Sequence, residues 1–195
     1  MPNTLTGADL RLQWSDFQAR APANAGNRVA FTSASFNLGS FNIVPAYAAI
    51  GIRAPNASND LGFVIDHLRA QVMLNRHRMW SVTSAQTADL LTHEQGHYDI
   101  VALVVSDLFI DLTNLPSVMT TTQAVQVYAN GKISEAQRRI GVMESNGDAD
   151  GLYDRQTNHG LSAGAQSSWN RAFSLSRPPT GMRFDLELQA QGIAV

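Results

Sequence analysis

The 195-residue chain contains no cysteine. Disulfide frameworks, thiolate zinc sites and cysteine nucleophiles are therefore excluded, while the redox character of the compartment stays open. Lysine is nearly absent: of fourteen basic residues only Lys132 is not an arginine. Charge is scarce, at 15% of residues, and sixteen acids leave a net charge of -2. That balance rules out a strong electrostatic nucleic-acid binder, and no nucleic-acid partner is expected. Long hydrophobic runs are missing too. The most apolar stretch, Ile100 to Ile110, is short and includes Asp107, so it reads as a core helix and not as a membrane span. Met1 to Leu10 has neither the basic nor the apolar region of a signal peptide, and a soluble chain is expected. No G-x-x-x-x-G-K-[ST], G-x-G-x-x-G or G-x-S-x-G pattern occurs, so nucleotide-binding and serine-hydrolase chemistries have no support.

With 44% hydrophobic residues, the chain can bury a core as one domain over 1–195. Its first part, about residues 1–82, reads as short strands and loops. Leu10 to Trp14 alternates apolar and polar, Val29 to Phe36 and Phe41 to Val44 are rich in β-formers, and Ala70 to Met79 reads as a strand. The part from about 84 to 175 reads as helical. One helix of about seven turns runs from Ala85 to about Leu112, starting at Ser84 and ending before Pro116. A second runs from about Gln123 to Met143 with a bend expected at Gly131, a short one holds Leu152 to Asn158, and another covers Ala163 to Phe173. Met182 to Leu188 alternates and reads as a last strand. Strands followed by helices predict an α+β domain, with an N-terminal twisted sheet packed on the long helix and the C-terminal helices on its other side.

The long helix carries His93-Glu94-Gln95-Gly96-His97, the pattern H-E-x-x-H. Residues four apart on a helix project about 40° from one another, so both imidazoles share a face and can ligate one zinc ion. Glu94 is rotated by about 100°, near enough to hold a metal-bound water and take its proton as the water attacks a carbonyl. Gly96 lowers helix propensity by about 1 kcal/mol and is read equally as close approach of another segment or as a tolerated glycine. An open zinc site needs a third protein ligand. His67 and His77 read as ordinary histidines, the latter flanked by Arg76 and Arg78. His159, beside Gly160 and after the second helix, is the third candidate, with Asp154, Glu135 and Glu144 as rivals. Asp99 projects about 200° from His97 and is discounted.

The segments Leu90-Leu-Thr-His-Glu-Gln-Gly-His-Tyr-Asp-Ile100 and Tyr153-Asp-Arg-Gln-Thr-Asn-His-Gly160 resemble a bacterial family of predicted zinc-dependent proteases, largely uncharacterised. Trp14-Ser-Asp-Phe17 and Trp80-Ser-Val82 resemble further landmarks of that family, so the likeness spans most of residues 10 to 170. The resemblance implies a zincin-like fold, with His93, His97 and His159 as zinc ligands, Glu94 as base and export from the cell. It makes Tyr153 a candidate oxyanion donor, an alternative to a core tyrosine, and Asp99 and Asp154 candidate hydrogen-bond partners of the ligating histidines.

One expectation is thus a zinc metallopeptidase acting on a peptide or protein, with the strand near Ala70 to Met79 binding extended substrate by edge pairing. A catalytically silent zinc-binding interaction module and a zinc amidase acting on cell-wall peptide are the alternatives. Asn146-Gly-Asp-Ala-Asp-Gly151 matches half of a calcium-binding loop, but its twelfth position is Thr157 where a bidentate Glu is needed. It is read as a solvated acidic turn in preference to a Ca2+ site.

Overall fold

The computed structural model describes residues 2–26, 28–49, 62–144, 150–178 and 180–195. Helices and small sheets are mixed, as the α+β reading expects. The organising element is a long helix, α2 (Ala88–Thr113). The Thr87 hydroxyl caps its start by accepting from Leu90 N, and Asn114 ends it. From Ile100 to Val105 every side chain is buried. A helix apolar on all sides must be covered on all sides.

Two cores meet on α2. Tyr98, Val101, Ala102 and Val105 pack with Ala70, Val72 and Met79 of the N-terminal part. Ile100, Leu103, Val104, Leu108 and Leu112 pack with the helices α3 (Thr122–Met143), α5 (Ala163–Ser176) and α6 (Phe184–Ala190). The expected sandwich of sheet, long helix and C-terminal helices is therefore present. The sheet, however, is divided. β1 (Thr4–Thr6) pairs parallel with β6 (Arg69–Leu74), and β3 (Ala34–Leu38) pairs antiparallel with β6 through Phe36↔Val72. β2 (Ala30–Phe31) pairs with β7 (Trp80–Ser81), and β4 (Asn42–Pro45) pairs with β5 (Phe63–Asp66). A single turn, α1 (Ala46–Ala49), follows β4.

Several sequence expectations need correction. β6 is the central strand of its sheet, between β1, which pairs with residues 69–71, and β3, and not the expected edge strand. Its alternation reports burial of Ala70 and Val72 on one face, which period alone cannot separate from an edge strand. Leu10 to Trp14 is not a strand. Leu12 is buried against α2, its N–H donates to Gln95 Oε1 at 2.7 Å, and Trp14–Asp16 forms a 3-10 turn capped by Asp16. Met182 to Leu188 is mostly helix. Phe184 and Leu188 are buried one turn apart, and the Asp107 carboxylate accepts from Phe184 N and Asp185 N, which satisfies the helix start. α3 continues through Gly131 without interruption.

α4 (Leu152–Thr157) leads into the segment that matters most for the site. Asn158, His159 and Gly160 have φ of 49°, 52° and 83°. Three consecutive left-handed residues turn the chain sharply over α2. Glycine accepts that geometry freely and asparagine tolerates it, but histidine adopts it at a cost of about 1–2 kcal/mol. No helix among the described residues is long and apolar enough to cross a membrane.

Candidate metal centre

Helical spacing brings His93 and His97 together as expected, with ring centroids 4.9 Å apart at 84°. His93 is almost fully buried, and Tyr153 stacks on it at 4.8 Å and 11°. Gly96 makes that stacking possible. A Cβ at residue 96 would collide with the Tyr153 phenol, so close approach of another segment is the reason for glycine here. Gly160 does the same on the other side, where an added Cβ would lie 3.0 Å from His93 Cβ.

Outer partners hold Nδ1 of both helix histidines. Gln166 Nε2 donates to the Tyr153 hydroxyl at 2.7 Å and to Asn170 Oδ1 at 2.9 Å. Its carbonyl oxygen therefore faces His93 Nδ1, 3.2 Å away, which carries the proton. His97 Nδ1 donates to Glu144 Oε2 at 3.0 Å. With both Nδ1 atoms engaged, both Nε2 atoms are directed inward. His93 Nε2 lies 3.1 Å and His97 Nε2 3.2 Å from one oxygen, Asp154 Oδ1. His159 Nδ1 lies 3.4 Å from the same oxygen, and its Nε2 faces Asp150 Oδ2 at 3.2 Å. Asp150 in turn pairs with Arg28 at 3.0 Å.

Three imidazole nitrogens thus converge on one point. Ligating atoms of His93, Asp154 and His159 lie within 4.8 Å of one another, so this group could hold a metal ion, though the geometry alone does not select zinc. The charges agree with a cation-seeking centre. Burial disfavours charge on His97, but the Glu144 carboxylate and the hydrogen bonds to Asp154 and Glu144 outweigh it and raise its pKa well above the ordinary value. Burial also opposes ionisation of Asp154, yet its hydrogen bonds to His93 and His97 hold it far below the usual carboxylate range.

The cluster opens on a cavity of about 70 Å³, lined by residues 28–32, Leu90, His93, Glu94, His97, Glu144, Asp154 and His159. His93 lies deep and the His159 side chain is 44% exposed, so the centre is reached from the His159 side. Glu94 is 3% exposed, lines the same cavity and accepts from Thr32 Oγ1 at 2.7 Å.

The other candidates lie elsewhere or do something else. The Tyr153 hydroxyl donates to the His93 carbonyl at 3.1 Å and accepts from Gln166; the ring is fully buried and does not line the cavity. Burial drives its pKa far above the ordinary phenol range. The oxyanion role has no geometry to support it, because the phenol is committed to holding the histidine. Glu144 is the partner of His97 Nδ1, and Glu135 is an exposed partner of Arg138. Asp99 accepts from Gln95 and pairs with Arg177 instead of with a histidine. His67 pairs with Asp66, and His77 lies in the turn after β6. Of the acidic segment Asn146 to Gly151, residues 146–149 lie outside the described residues.

Thr32 and Gln166 carry no motif, and nothing local marks them; they meet α2 only through contacts 62 and 73 residues apart in sequence, while Asp150, from the acidic segment, faces His159 nine residues on. Comparison with protein-family models, with curated proteins and with solved structures finds no match to this chain.

Proposed function

We propose that the protein is a zinc-dependent metallopeptidase with a zincin-like arrangement of its α+β domain. The observation that carries this reading is the convergence of three ring nitrogens, from His93, His97 and His159, at 3.1, 3.2 and 3.4 Å from one oxygen, Asp154 Oδ1, in a cavity that Glu94 also lines. Three histidines are the ligand count of a catalytic zinc site that keeps one position for water. The ring orientations support it, since both helix histidines direct Nε2 inward while Nδ1 is held by Gln166 and by Glu144. Asp154 sits at the convergence point and is the remaining oxygen donor.

Bound zinc would lower the pKa of a water and polarise a carbonyl. The protein's own groups do the rest. Glu94, which lines the cavity, would be the acid–base group that accepts a proton and returns it to a leaving amine. Gln166, Tyr153 and Glu144 keep the imidazoles oriented.

The test is metal content of purified protein with peptide-library cleavage. About one zinc per chain, reduced sharply in His159→Ala, is expected. Full zinc in that variant would transfer the third-ligand role to Asp154. Glu94→Ala should keep zinc and lose hydrolysis. Zinc without cleavage by the wild type would leave a binding module, and absence of zinc after reconstitution would overturn the reading.

A further inference from the structure

We infer that Thr32 is the positioning residue for Glu94, a role that rests on the peptidase reading above. Thr32 Oγ1 donates to Glu94 Oε2 at 2.7 Å, and both residues are buried, at 7% and 3% exposure. Among the described residues no other side chain donates a hydrogen bond to this carboxylate. Glutamate has three side-chain torsions, and a buried carboxylate without a donor would both turn and lose its compensation for leaving water.

The support behind Thr32 is rigid. It lies in the two-residue link between β2 and β3. β2 is held by Phe31↔Trp80 and β3 by Ala34↔Leu74, while the Ser33 carbonyl accepts from Asn75 N at 2.9 Å. The hydroxyl is therefore fixed by two separate sheets while Glu94 is fixed by α2. Their hydrogen bond engages Oε2 and leaves Oε1 as the oxygen for the water. A base held by one defined bond keeps the reacting atoms in one geometry, which is where much of the advantage of a bound reaction lies. Among the described residues Thr32 makes no side-chain hydrogen bond to a histidine, so its effect is exerted through Glu94.

The experiment compares zinc-loaded wild type, Thr32→Val and Thr32→Ser on one cleaved peptide from the library. Valine keeps the branched shape without the hydroxyl, and serine keeps the hydroxyl. Thr32→Val should lose tenfold or more in kcat with KM and zinc content unchanged, and Thr32→Ser should recover most of the loss. In the metal-free protein, Thr32→Val should lower Tm, and lower it less in a Glu94→Ala background, because the lost bond no longer exists there. Unchanged kcat in Thr32→Val, a change confined to KM, or equal Tm losses in both backgrounds would overturn the role of Thr32 alone. No cleavage by zinc-loaded wild type would overturn the peptidase reading and this role with it.

Discussion

Glu144 Oε2 accepts the Nδ1 proton of His97 at 3.0 Å, linking the residue that caps the end of α3 to α2. A carboxylate on the far nitrogen fixes the tautomer and makes Nε2 a better donor to a cation. Glu144, one of the rival third ligands in the sequence, is thus bonded to a helix histidine instead. Removing it leaves an imidazole free to turn or to protonate the wrong nitrogen.

Glu144→Ala should weaken metal affinity about 10- to 100-fold. Glu144→Gln, whose amide oxygen still accepts from Nδ1, should lose less. Competition against a chelator measures both. Equal affinity in wild type and Glu144→Ala would remove Glu144 from the centre.

Gly96→Ala sets two effects against each other. Helix propensity favours alanine by about 1 kcal/mol. The collision with the Tyr153 phenol opposes it, at about 1–3 kcal/mol for overpacking in a tight core. The collision wins because Tyr153 is held by the His93 carbonyl, Gln166 and its stacking on His93. The expected result is a lower Tm, partly restored by Tyr153→Phe, which removes the atom nearest to the new methyl. A raised Tm in Gly96→Ala would contradict the packing described here.

Asp107 links three helices. It accepts from Phe184 N and Asp185 N at the start of α6 and pairs with Arg139 of α3 at 3.1 Å. Asp107→Ala leaves a buried guanidinium uncompensated and uncaps α6, at a cost of about 3–5 kcal/mol. Urea unfolding should show the loss. A change under 1 kcal/mol would mean that water reaches Arg139.

Tyr98 ties stability to alkaline pH. Burial is the main cause that pushes its pKa from 10.0 to about 12. A group with a raised folded pKa contributes stability that is whole below the unfolded value and is lost as pH rises. The contribution should therefore be intact below pH 10.0 and fade between 10.0 and about 12. Tyr98→Phe should flatten the stability profile in that window only, as read by urea midpoints across pH. An identical slope in both proteins would show that Tyr98 ionises normally.

What the sequence determined by itself was local. The four-residue spacing of His93 and His97, the helix-forming run around them, the apolar excess from Ile100 onward and the turn that Gly160 permits are properties of short segments, and short-range sterics and hydrogen bonding express them directly. Tertiary structure decided the rest. β6 became a central strand because β1 arrives from the start of the chain, and alternation within β6 is the same in either place. Met182 to Leu188 became helical because Asp107, far away in sequence, satisfies its first N–H groups. Thr32, Gln166 and Glu144 gained their places around the histidines because α2 is apolar on every side and draws both halves of the chain onto it. A hydrogen bond between residues sixty or seventy positions apart leaves no period and no spacing to read; packing alone brings those partners together.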